Sequence, residues 1–263
     1  MDKVKPMKIV IPSYQRSSSI NEKSLKTLYE SGYLPQDIDL FVANEEEYDA
    51  YRAVVHSDIN IKVGCKGLKN IRNFIFNYYD EGEHLLCLDD DIEGLKVLDP
   101  HHGTERLQNL IDFKDIVKQG FDLCDEHSLK LWGLFTCCNP RFMNNTQEIT
   151  TDYKFIIGNF FGVINCRDMN QVNVNDIDDY ERSIRSYQLY GGSIRLNHVA
   201  TKTKFLKNEG GAQADEQRLD TINQSIVSLQ ETYPDMFYLK KKKSGIGKTI
   251  ILKKRTRLNV VAL

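Results

Sequence analysis

The sequence predicts an α/β fold with a mostly parallel central sheet flanked by helices. Three observations carry that prediction. Short apolar runs alternate with amphipathic helical stretches from Lys8 to Asp91. The apolar runs are three to six residues long, too short for helices and suited to strands. Polar or charged residues close the runs at Ser13 to Arg16, Asn44 to Glu46 and Asp89 to Asp91, as loops after the strands of a parallel sheet require.

Taken in order, Lys8-Ile9-Val10-Ile11 reads as a first strand, stopped by Pro12 and followed by the polar loop Ser13-Tyr14-Gln15-Arg16. Ser24 to Ser31 reads as a helix with Leu25 and Leu28 on one face. Ile38 to Ala43 is a second strand ending in Asn44-Glu45-Glu46, and Tyr48 to Val55 a second helix. Ile61 to Val63 is a short third strand. Leu68 to Tyr79 is a helix with Ile71, Phe74, Ile75 and Tyr78 facing inward. Leu85 to Leu88 is a buried strand that ends abruptly in Asp89-Asp90-Asp91.

That triplet is the most informative stretch of the chain. Three adjacent like charges repel one another and belong on a solvated surface unless something compensates them. At the carboxyl end of a buried strand they stand where open α/β sheets bind ligands. Their oxygens suit a hard divalent cation, Mg²⁺ or Mn²⁺, able to bridge to a diphosphate. An acidic turn without a ligand is the plainer alternative.

The order of Ile9-Val10-Ile11-Pro12-Ser13-Tyr14-Gln15-Arg16, Gly67-Leu68-Lys69-Asn70-Ile71-Arg72-Asn73 and the acidic strand resembles the GT-A glycosyltransferases of the family-2 type. The triplet is then similar to the DxD motif of that fold. Phe155 to Ile164 reads as a strand facing the acceptor side. Asp178-Asp179-Tyr180-Glu181-Arg182-Ser183 resembles the Glu-Asp motif that supplies the base in inverting members, with Asp178 in place of the usual Glu. The Lys207-Asn208-Glu209-Gly210-Gly211 loop, in so compact a frame, is similar to the TET-associated glycosyltransferases of phages. That group is credited with sugar modification of 5-hydroxymethylpyrimidines in DNA.

The resemblance implies a UDP-sugar donor, Mn²⁺ or Mg²⁺, and hydroxymethylated DNA as partner. It implies Asp89 and Asp91 as metal ligands with His198 as a third, an ordinary packed histidine being the alternative there. Asp89 and Asp90 would also contact the nucleotide-sugar. Pro12, Tyr14 and Arg16 would hold the nucleobase and ribose, with Tyr14 stacking on uracil, and Asn44 and Glu45 would lie near the base. Arg72 would face the diphosphate or sugar, against the plainer reading of a surface ion pair. Asp179 would be the general base. Carboxylates also favour a helix N-terminus, and a helix supported by Ile184, Tyr187 and Leu189 begins there. Glu181, two positions on, does not share its helical face, so the two do not act as one unit. Alternatives to the DNA acceptor are a polysaccharide or lipid-linked sugar, or a non-catalytic binding module on the same scaffold.

With 263 residues the chain can bury a substantial core. The expected organisation is one transferase domain over 1–211 with a C-terminal helix and basic hairpin over 212–263. No stretch reaches the roughly 20 apolar residues of a membrane span, and the opening residues do not read as a secretory signal. The expected location is therefore the cytoplasm, the host's for a phage protein. The six cysteines form no CxxC pair, so structural zinc is not expected, and Cys87 and Cys166 read as small core residues. Trp132, Phe160 and Phe161 could receive a flipped base, although core packing is their commoner role. The loops at His101–Thr104 and Lys207–Gly211 are candidate covers over the donor.

Charge is unevenly spread. Residues 238–263 hold seven Lys and two Arg and no Asp or Glu, while all 37 acidic residues lie before them. Such a basic end suits a polyanion, with Lys240, Lys241, Lys242, Lys243, Lys253, Lys254 and Arg255 as candidate DNA contacts. A solvated basic hairpin is the alternative. Ser244-Gly245-Ile246-Gly247-Lys248-Thr249 imitates the end of a phosphate-binding loop, but the first glycine of that pattern would fall at Lys242 and the residues after it are strand-like. A turn between two strands is expected.

Overall fold

The computed structural model describes residues 7–99, 101, 106–144, 147–203, 218–241 and 248–254. The first part alternates strand and helix as expected: β1 (Met7–Pro12), α1 (Ser24–Glu30), β2 (Ile38–Val42), α2 (Glu45–Arg52), β3 (Asn60–Val63), α3 (Leu68–Tyr78) and β4 (His84–Leu88). There follow β5 (Leu95–Leu98), β6 (Leu107–Leu110), α4 (Lys114–His127), β7 (Leu131–Phe135), α5 (Pro140–Met143), β8 (Ile149–Thr150) and β9 (Phe160–Ile164). The chain continues through α6 (Arg167–Asn170), α7 (Asp178–Tyr190), β10 (Ile194–Thr201), α8 (Arg218–Thr232), β11 (Phe237–Lys241) and β12 (Lys248–Leu252).

One sheet runs in the order β3-β2-β1-β4-β9-β7-β10-β5-β6, with β8 added beside β10. The strands β3, β2, β1 and β4 are parallel, so the loops that follow them emerge along one edge. β9 runs antiparallel to β4, with Phe160 opposite Leu88, and therefore begins where β4 ends. This reversal delivers the residues before β9 to the acidic triplet.

The period-two pattern of β1 builds both faces of the sheet. Ile9 and Ile11 join α1 and α4 in one apolar cluster, with Leu25, Leu28, Val117 and Phe121. Val10 joins α3 on the other face, with Ile71, Ile75, Cys87 and Phe161. Each such side chain contributes about 1.5–3 kcal/mol on burial. Trp132 is fully buried and seated between two glycines; a Cβ at Gly162 would lie 1.9 Å from its indole nitrogen. Trp132, Phe160 and Phe161 are all core residues with no exposed surface, so they do not receive a flipped base.

Three local expectations are corrected. α2 begins at Glu45, not Tyr48, because the Asn44 side chain accepts from the Glu47 N–H at 2.9 Å and opens the helix early. β9 begins at Phe160, not Phe155. The Ile156 N–H donates to Ser183 Oγ at 3.0 Å and the Gly158 N–H to Asp179 Oδ2 at 3.2 Å, so α7 takes the donors that a strand would give its ladder. On α3, Arg72 and Phe76 are buried while Tyr78 is 48% exposed.

β11 and β12 form an antiparallel hairpin. A strand thus begins at Lys248, where a phosphate loop would open a helix. Phe237 and Ile250 of the hairpin pack in one cluster with Ile226 and Leu229 of α8 and Ile184 and Tyr187 of α7. The 211/212 boundary lies outside the described residues. Among the described residues no helix is long and apolar enough to cross a membrane.

Candidate active site

The loop after β1 and helix α3 meet around the acidic triplet that follows β4. Ser24, at the start of α1, pins the triplet's backbone: its hydroxyl donates to the Asp89 carbonyl at 2.6 Å and accepts from the Ile92 N–H at 2.9 Å. The Asp89 N–H donates to the Asn159 carbonyl at 2.9 Å, tying the turn to the entry of β9.

Each carboxylate has a distinct environment. Asp90 is 4% exposed and accepts from Ser13 Oγ and from the Arg16 guanidinium. The same Arg16 Nη1 reaches Asp91 Oδ2 at 3.1 Å. Thr203 Oγ1 donates to the Asp91 backbone carbonyl at 3.3 Å. Asp89 pairs instead with Arg72, whose Nη2 donates to Asp89 Oδ1 at 2.6 Å. Asp89 keeps 36% of its side-chain surface open. Desolvation by the packed atoms on its closed side pushes its carboxyl up to about 7, against the pull of Arg72 and with help from the charges of Asp91 and Asp90. Burial also raises Asp90, against Arg16 and Ser13.

Arg72 is brought in by α3, which Gly67 opens at φ +99°, a conformation that favours glycine. It is 3% exposed, the reverse of a surface ion pair. Burial works against its charge, but Asp89 and Asp178 outweigh that and hold its pKa above the ordinary value. Its Nη2 also donates to the Gly158 carbonyl at 2.9 Å. The N–H of that same Gly158 donates to Asp179. One residue thus joins the triplet's arginine to the expected base.

On α7 the three carboxylates separate by role. Asp178 pairs with Arg182 at 2.6 Å, and that guanidinium lies over Phe161 and Phe76 at 4.7 and 5.4 Å. Glu181 is 1% exposed and accepts from the Asn173 and Val174 N–H groups at 2.6 and 3.1 Å. Both are structural. Asp179 is half-buried, accepting from Gly158 and from the Tyr180 N–H at 2.9 Å. Desolvation first, then the neighbouring Asp178 charge, push its carboxyl up to about 7.

The remaining expected residues are distributed as follows. Pro12 ends β1 opposite Phe41. The Tyr14 ring lies under Lys66 Nζ at 5.3 Å and its hydroxyl accepts from Gln15 Nε2 at 3.2 Å. Arg16 is turned to Asp90 and Asp91. The Asn44 side chain is engaged as a helix cap, and Glu45 is exposed in the first turn of α2. His198 Nδ1 lies 3.5 Å from the Glu148 carbonyl and 3.8 Å from the Glu148 carboxylate. Cys87 is buried, whereas Cys166 is only half-buried and hydrogen-bonds Tyr190 at 2.9 Å. Lys240 and Lys254 are exposed and Lys253 lies 3.6 Å from Asp235, while Lys241 pairs with Lys248 in the hairpin register. Lys242, Lys243, Arg255, the Lys207–Gly211 loop and residues 102–104 lie outside the described residues.

Ser13, Ser24, Gly158 and Thr203 also belong to the site, and the sequence assigns them no role in it. Their partners are supplied by the fold. Among the described residues no three His, Cys, Asp or Glu side chains gather into a metal-binding group. One or two carboxylates completed by substrate phosphates are a common way to hold Mg²⁺. Asp91 and Asp89 fit that donor set.

No family model and no curated protein matches the chain. Solved structures do. TarS 1–349 of S. aureus, in complex with UDP-GlcNAc, aligns with a TM-score of 0.50 at 14% identity, over 85% of this chain and 66% of TarS. A mycobacterial protein aligns with a TM-score of 0.50 at 9% identity, over 95% of this chain and 84% of its own. This chain has the GT-A fold. The mannosyltransferase PcManGT of Pyrobaculum calidifontis, in complex with GDP-Man and Mn²⁺, gives a TM-score of 0.48 at 15% identity, over 73% of this chain and 55% of its own. The chain thus spans just under two thirds of TarS 1–349 and about half of the mannosyltransferase.

Proposed function

We propose that the chain is a metal-dependent glycosyltransferase that moves a sugar from a UDP-sugar to 5-hydroxymethylcytosine, or a related hydroxymethylated pyrimidine, in phage DNA, with inversion. The modification would shield the DNA from host restriction. Residues 1–211 would form the transferase domain and 212–263 an extension packed on it. The observation that carries the reading is the Gly158 link between the Arg72–Asp89 pair and Asp179. It joins a donor-side charge cluster to a carboxylate suited to acceptor activation.

Asp91 and Asp89 would hold Mn²⁺ or Mg²⁺, which when bound supplies positive charge to the leaving diphosphate. Arg72 adds a fixed charge on the same side. The acceptor oxygen forms its bond to the anomeric carbon as the bond to the diphosphate breaks. Asp179 takes the hydroxyl proton, and UDP leaves. A carboxyl pushed up to about 7 is a competent base near neutral pH.

The DNA acceptor rests on the resemblance and on the hairpin. Lys240, Lys241, Lys242, Lys243, Lys253, Lys254 and Arg255 are the proposed phosphate contacts. Supporting this, the hairpin packs against α7 beside the base: the Tyr180 hydroxyl, one residue from Asp179, donates to the Ile250 carbonyl at 3.5 Å. The test is UDP release from a panel of UDP-sugars, with and without Mn²⁺ and hydroxymethylated duplex. Release that needs both supports the reading. Release unaffected by DNA but stimulated by a sugar acceptor would replace it with the polysaccharide alternative.

A further inference from the structure

The acidic pair Asp90–Asp91 already has a cation of its own. Arg16 is 7% exposed, and its guanidinium lies between the two carboxylates. Its backbone is fixed as firmly as its side chain. The Arg16 N–H donates to the Tyr51 hydroxyl at 3.0 Å, and its carbonyl accepts from Ser19 and Ile20, each at 3.0 Å. The residue is therefore built to stay beside the triplet. Asp90, Asp91 and, at longer range, Asp89 hold its charge against the burial that opposes it.

A second cation brought to Asp91 meets two obstacles. The Oδ2 atom already accepts from Arg16, and two positive charges in a poorly solvated site repel each other. A diphosphate removes both. Its negative oxygens supply ligands that Asp91 alone lacks, and they balance the added charge.

We infer that Arg16 is the resident counter-cation of Asp90 and Asp91, and that it makes divalent metal binding depend on a nucleoside diphosphate. This rests on the metal-dependent reading above. Metal and diphosphate then enter as one unit, and Arg16, freed from Asp91 but held by Asp90, stands beside them. It is a positioning residue rather than a catalytic one. By linkage, whatever UDP does to metal affinity, the metal does equally to UDP affinity.

The test is Mn²⁺ binding to the purified chain, followed by electron paramagnetic resonance, with and without UDP. In the wild type UDP should tighten Mn²⁺ binding by about 10-fold or more, within the usual range of coupled ligands. Arg16→Gln should bind Mn²⁺ alone about 10-fold more tightly than wild type and lose most of the UDP effect. Arg16→Lys, which keeps the charge, should retain it. Melting curves check that each variant is folded; were Arg16→Gln to fail there, the wild-type titrations and Arg16→Lys would still decide. Equal Mn²⁺ affinity with and without UDP in the wild type overturns the inference, as does an Arg16→Gln variant that binds Mn²⁺ alone no better. Absence of Mn²⁺ binding under every condition would overturn the metal-dependent reading itself, a separate and recognisable outcome.

Discussion

Two short acidic runs, Asp89-Asp90-Asp91 after β4 and Asp178-Asp179-Tyr180-Glu181 at the start of α7, look alike as sequence and are solved differently by the fold. The first is neutralised from far away in the chain. Arg72 comes from α3 and Arg16 from the loop after β1. The second is neutralised locally, by Arg182 one helical turn on and by the backbone N–H groups of residues 173 and 174. In each run one carboxylate is left half-open, Asp89 and Asp179, and both are pushed up to about 7. The difference teaches that a buried carboxylate with a dedicated partner is committed to structure. The one left facing open space is the candidate for chemistry. Asp91 is the exception, being buried beside Arg16 and still the proposed metal ligand.

Breaking the first run at its metal side should have the largest effect. Asp91→Ala should cut UDP-sugar turnover by about 10⁴-fold with the fold intact by circular dichroism. Chelator should mimic this in the wild type, and Mn²⁺ or Mg²⁺ should restore it. Full activity in chelator would contradict the metal assignment.

In the second run, Asp179→Asn should lower kcat by about 10³-fold while donor affinity is largely kept. The base works when deprotonated and its pKa is raised. Wild-type kcat should therefore climb with pH to a plateau above about 7, and this limb should vanish in the variant. A pH profile shared by both proteins would remove Asp179 from the mechanism.

Asp178→Asn sharpens the contrast, because it breaks a buried pair rather than a reacting group. It should cost about 3 kcal/mol of stability by denaturant titration. Turnover well below the lowered melting temperature should change by less than about 10-fold. Gly158→Ala probes the link between the two runs. A Cβ there would lie 3.3 Å from the Asp179 Cβ, displacing the base by a few tenths of an ångström. A loss of about 10-fold in kcat is expected, since small misplacements of reacting groups are costly.

The smallest effect on chemistry should come from the hairpin. Changing Lys240 and Lys254 to Gln should flatten the log-affinity versus log-salt slope for hydroxymethylated duplex by about 1–2 units. UDP-sugar hydrolysis without DNA should be unaffected. Identical slopes would mean that these lysines do not touch phosphate.

Much of the first half was legible because its signals are local. Leu25 and Leu28 are buried on α1 as their spacing requires, and β1 and β4 are built on the apolar runs Ile9-Val10-Ile11 and Leu85 to Leu88. The alternation of strand and helix then implied the parallel order and the common edge of loops. What escaped was decided by partners distant in sequence. Phe155 to Gly158 looks strand-like, yet Ser183 and Asp179 claim its N–H groups. Arg16 reads as a loop cation that could reach a ribose, and only the turn after β4 reveals its two carboxylates. Asn44 reads as a base contact but caps the helix it precedes. His198 reads as following a strand but lies within β10, where its ring meets Glu148.

The most direct test of the central claim is mass spectrometry of nucleosides from hydroxymethylated DNA incubated with the chain, Mn²⁺ and a panel of UDP-sugars. The account predicts that 5-hydroxymethylcytidine deoxynucleoside is converted, with one donor, to a species heavier by a single glycosyl group, and that Asp179→Asn leaves it unconverted. UDP release without any such species would contradict the DNA acceptor. Neither UDP release nor a heavier nucleoside, with any donor, would contradict the glycosyltransferase reading as a whole.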